Sequence, residues 1–276
     1  STAELVAQLP EPDQLAFLSQ FTPEERARLK YKWDYWARPE QKWPVGDWTF
    51  WAYIGERGAG KTRTGAQYVL DCVDAGCMSI ALVAPTHDDF DKVMVNGPSG
   101  ILACSPPWNR PIYNESKKTL TWPSGAQAFG YSAEKPSRLR GHNHMAAWAD
   151  ELAAWHPNRR QGTWDMLLMT LREGAHPRCM VSTTPMPVDV ISELMDDCEA
   201  GKDGYVLTTS STYANRANLA KSFFDTVIKK YEGTRLGQQE LEGKLLRDIP
   251  GALWTLDMIR ANRVDRLPKI KRVIVA

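Results

Sequence analysis

The sequence predicts an α/β fold, a mostly parallel sheet flanked by helices, from three observations. Short apolar runs at 50–54, 79–84, 145–149 and 179–181 alternate with segments of helical character at 62–75, 164–172 and 189–200. A glycine-rich phosphate-binding pattern stands between the first run and the first helical segment. The third run ends on two adjacent carboxylates, Asp150 and Glu151.

Residues 55–62 read Gly-Glu-Arg-Gly-Ala-Gly-Lys-Thr and fit G-x-x-x-x-G-K-[ST] at every fixed position. Glycines let backbone N–H groups wrap a phosphate without Cβ clashes, and the following helix N-terminus adds partial positive charge. The expected nucleotide site comprises Gly55, Glu56, Arg57, Gly58, Ala59, Gly60, Lys61, Thr62 and Arg63. Lys61 would reach the β- and γ-phosphates of ATP, and Thr62 would place a hydroxyl on Mg²⁺. A plain glycine-rich turn is the alternative, and the flanking strand and helix disfavour it.

Composition bounds the rest. At 276 residues the chain is long enough to bury a sizeable core, and 34 Lys and Arg against 33 Asp and Glu leave no global nucleic-acid footprint. The cysteines at 72, 77, 104, 179 and 198 show no C-x-x-C pair and no metal-ligand spacing with the five histidines, so they read as reduced thiols. No apolar run approaches a membrane span, and residues 1–20 lack a basic region followed by an apolar core, which points to a cytosolic setting and no membrane partner.

Along the chain, residues 1–32 read as short helices broken at Pro10 and Pro12, the clearest opening with a capping box of Thr22, Pro23 and Glu25. Five of the eleven tryptophans fall at 33, 36, 43, 48 and 51, so either a flat group stacks there or the rings are core. Gln41, among them, is either a surface residue or a reader of an adenine edge, since its amide donates and accepts at once. The run at 79–84 is followed by a polar segment over 86–91, and 119–131 reads as a hairpin turning at Pro123-Ser124-Gly125. A polar loop over 134–144 carries Lys135, Arg138 and Arg140.

Asp150 can hold Mg²⁺ at a strand end and Glu151 can orient or deprotonate an attacking water, a pairing made stronger by its place 89 residues after Lys61. Ser182, Thr183 and Thr184 are either a strand-end turn or hydroxyls close to the γ-phosphate. Helices are expected over 218–231 and 234–246, joined at Gly233, with a strand at 205–209, a short helix from Thr255 and a strand over 272–276.

With these pieces placed, residues 33–254 resemble the ATPase domain of a large terminase subunit, the DNA-packaging motor of tailed bacteriophages. The marks are Trp36-Ala37-Arg38-Pro39 and Gln41 ahead of the loop, Arg57 within it, and Val83-Ala84-Pro85-Thr86. Further marks are residues 137–141 before Ala149-Asp150-Glu151, the segment Ser182-Thr183-Thr184-Pro185, and residues 231–235 leading to 240–243. The resemblance implies a P-loop NTPase of the additional-strand type with a small helical lid. It divides the chain into a helical appendage (1–32), an ATPase core (33–209), a lid (210–250) and a linker opening a nuclease domain (251–276).

The resemblance also implies roles. Gln41 becomes the adenine reader, and Ser182, Thr183 and Thr184 become a coupling segment that senses the γ-phosphate. A guanidinium suits the transition-state phosphate oxygens; Arg140 is favoured as a finger acting on a neighbouring subunit and Arg57 as a phosphate sensor, with Arg57 acting in cis as the alternative. The implied partners are double-stranded DNA, a portal protein, a small terminase subunit and further copies in a ring, in the host cytoplasm, while the isolated fragment can be monomeric. Residues 272–276 resemble the first strand of an RNase H-like nuclease whose first metal-binding Asp is not in this chain, so nuclease activity is expected only of the full-length protein. The rivals are a helicase or repair translocase, an ATP-gated binding module and a small-molecule kinase.

Overall fold

Runs of apolar residues long enough to be buried on both faces become the middle strands of one sheet. The computed structural model describes residues 1–220 and, beyond them, positions 222, 226, 230, 253, 254, 258 and 261–263. Its strands are β1 (Phe50–Gly55), β2 (Ser79–Ala84), β3 (Ile112–Asn114), β4 (Thr119–Thr121), β5 (Gln127–Ser132), β6 (Ala146–Asp150), β7 (Arg178–Thr183) and β8 (Tyr205–Ser210). They lie in the order β3-β4-β5-β2-β6-β7-β1-β8. From β5 to β8 every neighbouring pair is parallel; β3–β4 and β4–β5 are antiparallel and append the expected hairpin to one edge. All parallel strands therefore deliver their C-terminal ends, and the loops that follow, to one edge, where an open α/β sheet binds its ligand.

The sheet's alternation divides the core. Trp51, Tyr53, Ile80, Leu82 and Trp148 face one side, and Ala52, Ile54, Ala81, Val83, Ala147 and Ala149 face the other. Of the helices α1 (Thr2–Ala7), α2 (Glu11–Ser19), α3 (Pro23–Leu29), α4 (Trp33–Trp36), α5 (Lys61–Asp74), α6 (His87–Asp89), α7 (Ile101–Cys104), α8 (Pro157–Thr170) and α9 (Asp189–Glu199), α5 and α7 cover the first side. α8 and α9 cover the second. Among the described residues, no helix is long and apolar enough to cross a membrane.

Most departures from expectation have simple causes. Pro12 does not break a helix: it sits in the first turn of α2, where its missing N–H would have had no intrahelical acceptor. The capping box of α3 forms, with Thr22 Oγ1 accepting the Glu25 N–H at 3.2 Å and Glu25 accepting the Thr22 N–H at 2.8 Å. α8 opens at Pro157 rather than at 164, because its first turns are solvent-facing and carry no apolar period. The polar segment over 86–91 forms α6 and the start of a π-helical turn, Phe90–Val95. Strand β3 was not anticipated; it is three residues long with Ile112 exposed. The tryptophans resolve mainly as core: Trp48 and Trp51 are buried and Trp43 stacks on Tyr68, while Trp36 stays about half exposed. The helices over 218–231 and 234–246, except residues 218–220, 222, 226 and 230, lie outside the described residues. So do residues 231–235 and 240–243, the helix start at Thr255 and the strand over 272–276.

One packing contact ties the phosphate-loop helix to the acid-bearing strand. Gly65, in the second turn of α5, lies against the Trp148 indole, so that a Cβ there would stand 2.0 Å from Cε2. An alanine in a helix interior ordinarily gains about 1 kcal/mol over glycine. Here Gly65→Ala should instead lower stability by about 1–3 kcal/mol through overpacking, measured by urea denaturation; a gain would show that the ring moves freely.

Candidate active site

The loop between β1 and α5 is shaped by where its carbonyls go. Lys61 Nζ donates to Gly55 O at 3.0 Å and Glu56 O at 3.1 Å. Thr212 Oγ1 donates to Arg57 O at 2.8 Å, Asn215 Nδ2 to Gly58 O at 2.6 Å, and Arg38 Nη2 to Ala59 O at 2.7 Å. Every carbonyl from Gly55 to Ala59 is thus occupied by a side chain. Among the described residues, the N–H groups of Arg57, Gly58 and Gly60 have no acceptor. They join the free N–H groups of the first turn of α5. Gly58 and Gly60 take φ of +80° and +88°, a conformation that favours glycine, and a Cβ on Gly60 would come within 2.8 Å of Gln41 Nε2. The result is a concave set of donors at a helix N-terminus, suited to an anion.

Lys61 is buried, and its ammonium also meets Glu151 Oε1 at 3.2 Å and Thr184 Oγ1 at 3.2 Å. Glu151 Oε2 accepts from the Thr184 N–H at 3.3 Å and from its hydroxyl at 3.2 Å. Glu151 has φ 48° and ψ 48°, left-handed for a residue with a side chain, and its N–H is held by Ser182 O at 2.6 Å. Such backbone strain concentrates at functional positions. Asp150 is buried and accepts from Ser182 Oγ at 2.6 Å, and Trp148 Nε1 donates to that same Ser182 oxygen at 2.7 Å. Burial, then the Glu151 charge, push the Asp150 carboxyl up to about 7, against the opposing pull of Ser182 and Lys61. Thr183 Oγ1 accepts the Ala153 N–H at 3.0 Å. The segment Ser182-Thr183-Thr184 therefore touches both acids and the lysine.

The remaining candidates divide. Gln41 is buried beside the loop, its Nε2 donating to Thr64 Oγ1 at 3.0 Å and its Oε1 accepting the Arg38 N–H at 3.2 Å. That leaves one amide N–H and one oxygen lone pair for a further partner. Glu56 turns away from the cradle, its buried carboxylate accepting the Thr212 N–H at 2.5 Å. Arg63 lies over the Trp33 ring at 5.6 Å. Arg57 is exposed and, among the described residues, forms no ion pair. Arg140 is exposed in the loop after β5. Its loop follows β5, which stands four strand steps from β1, on the order of 19 Å across the sheet.

Thr212 and Asn215 were not anticipated, and Arg38 only as a family mark. Thr and Asn at a strand end read as turn formers, and nothing in their spacing announces a partner some 155 residues earlier.

Comparison with known proteins agrees with this geometry. A family model described as the N-terminal part of the T4likevirus-type terminase large subunit matches residues 53–261. The large terminase of a thermophilic bacteriophage, solved in complex with ADP, superposes with a TM-score of 0.59 at 15% identity, over 79% of this chain and 52% of that one. The ATPase domain of the large terminase of Thermus phage P74-26 gives 0.54 at 14%, over 71% and 88%. The HK97 bacteriophage large terminase gives 0.56 at 17%, over 81% and 50%. The chain spans about half the length of the first and the last of these proteins. No curated protein matches. These structural likenesses establish a common fold, and the family match extends over most of the described core: the chain belongs to the terminase large-subunit family.

Proposed function

We propose that this chain is the ATP-hydrolysing motor domain of a phage DNA-packaging machine, driving double-stranded DNA into a procapsid. The observation that carries the reading is the meeting of an inward-facing nest of N–H donors with Lys61, Glu151 and Asp150 at one edge of the sheet. Water attacks the γ-phosphorus in line; the oxygen–phosphorus bond forms as the bond to the β–γ bridging oxygen breaks, releasing ADP and phosphate. Glu151 takes the water proton, Lys61 and the loop N–H groups bind the β- and γ-phosphate oxygens, and Gln41 reads the adenine edge.

The donor set fits Mg²⁺: the Thr62 hydroxyl on the first turn of α5 has no hydrogen-bond partner among the described residues, and the buried Asp150 carboxylate would be favoured in its charged form by a cation. The ion, held by Thr62 and Asp150, would offset phosphate charge. Family membership supports double-stranded DNA, the portal, the small terminase subunit and a ring of copies as partners, acting in the host cytoplasm. Ser182-Thr183-Thr184 would pass the loss of γ-phosphate to the rest of the chain. Arg140, exposed in the loop after a strand four steps from β1, would serve a neighbour's site.

Glu151→Gln should lower ATP turnover at least about 100-fold while leaving ADP affinity within about threefold; unchanged turnover sinks the assignment. Arg140→Ala should cost about 10³-fold or more in turnover and be partly rescued by mixing with Lys61→Ala, which brings an intact arginine but no working site. A parent rate independent of protein concentration, untouched in Arg140→Ala, would move the finger to Arg57. The Asp150 shift also gives a sign. A carboxyl whose folded value, about 7, lies above its ordinary 3.8 costs stability as pH rises between them. In chelator and without nucleotide, Asp150→Asn should gain on the parent by roughly 1.4 kcal/mol per pH unit across that window and level off above it, read by urea denaturation.

A further inference from the structure

The chain leaving β8 does not depart from the site. It doubles back over the outside of the phosphate loop, with Thr212 and the 3₁₀ helix Tyr213–Asn218 lying against residues 56–59. Ser210 O accepts the Glu56 N–H at 3.1 Å, and the Leu219 side chain covers Gly58, where an added Cβ would meet it at 3.2 Å.

In a trans peptide the carbonyl of one residue and the N–H of the next point in opposite directions from one rigid plane. Fixing Arg57 O outward on Thr212 therefore turns the Gly58 N–H inward, and fixing Ala59 O outward on Arg38 does the same for the Gly60 N–H. These are two of the three loop donors that have no acceptor among the described residues. Asn215 joins the two clamps. Its Oδ1 accepts from Arg38 Nη1 at 2.8 Å and from Asn218 Nδ2 at 2.9 Å, so its amide nitrogen can only face Gly58 O. Arg38 is held in turn by Glu40 at 2.7 Å and Ser210 Oγ at 3.1 Å.

We infer that Thr212, Asn215 and Arg38 are positioning residues that aim the loop's donors at the phosphates from outside the loop. Each of them holds the loop by a carbonyl. The inference rests on the nucleotide-binding reading above. It makes the strap over 210–219 and the phosphate loop one hydrogen-bonded unit.

The test is a titration of each variant with ADP carrying a fluorescent ribose label, beside urea denaturation without nucleotide. Thr212→Val, which keeps the shape and loses the hydroxyl, should weaken ADP binding about tenfold, and Thr212→Ser should restore it. Asn215→Asp is the sharper variant. It keeps, and by charge strengthens, the bond to Arg38, but presents an oxygen to Gly58 O. If Asn215 served only to hold Arg38, affinity would stand or rise; aiming the loop requires a loss of about tenfold or more with an unchanged urea midpoint. Parental affinity in both Thr212→Val and Asn215→Asp would overturn the inference. If the parent itself fails to bind ADP, or Lys61→Ala binds as the parent does, the nucleotide reading fails first, and the two failures are told apart.

Discussion

A buried ammonium must be surrounded by oxygen, and meeting that demand for Lys61 shapes everything near it. Its four partners come from the end of β1, the acid turn after β6 and the hydroxyl segment after β7. The lysine itself opens α5. Removing any of these elements would leave a charge in a poor medium, so the order of the central strands and the composition of the site are one constraint. The sheet's packing serves the same end. Trp148, buried between β6 and α5, both fills the core and sends its indole N–H to Ser182, which leaves the Ser182 hydroxyl proton to Asp150.

The legible part of this molecule was local. The strand ending at Gly55, the helix after it and the strand ending at Asp150 follow from apolar runs and a glycine pattern that depend on neighbours within a few residues. Lys61 and Glu151 lie where motif and spacing put them. What sequence left open was resolved by contacts between distant segments. Gln41 is buried against Thr64 rather than exposed. Arg63, one residue beyond the motif's end, has turned round the helix to the Trp33 ring. Glu56 lies within the motif, yet its carboxylate belongs to the outer face of the loop.

The same reasoning explains why the strap was invisible. A loop that binds phosphate is usually described by its glycines and its lysine, which face the ligand. Its carbonyls need partners too, and those partners have no reason to be near in sequence. Here they come from 38, 53, 61, 212 and 215, so the loop is braced by chain from before β1, from β1 and α5, and from after β8.

The backbone at Glu151 sets stability against chemistry. A side-chain-bearing residue at φ 48° and ψ 48° holds a conformation that glycine or asparagine would take more cheaply. Either replacement would ease the turn after β6, and either would delete the carboxylate that meets Lys61 and Thr184. The easiest stabilising substitution in this turn is therefore one that disarms the protein, the trade expected where a working group is kept at the expense of the fold.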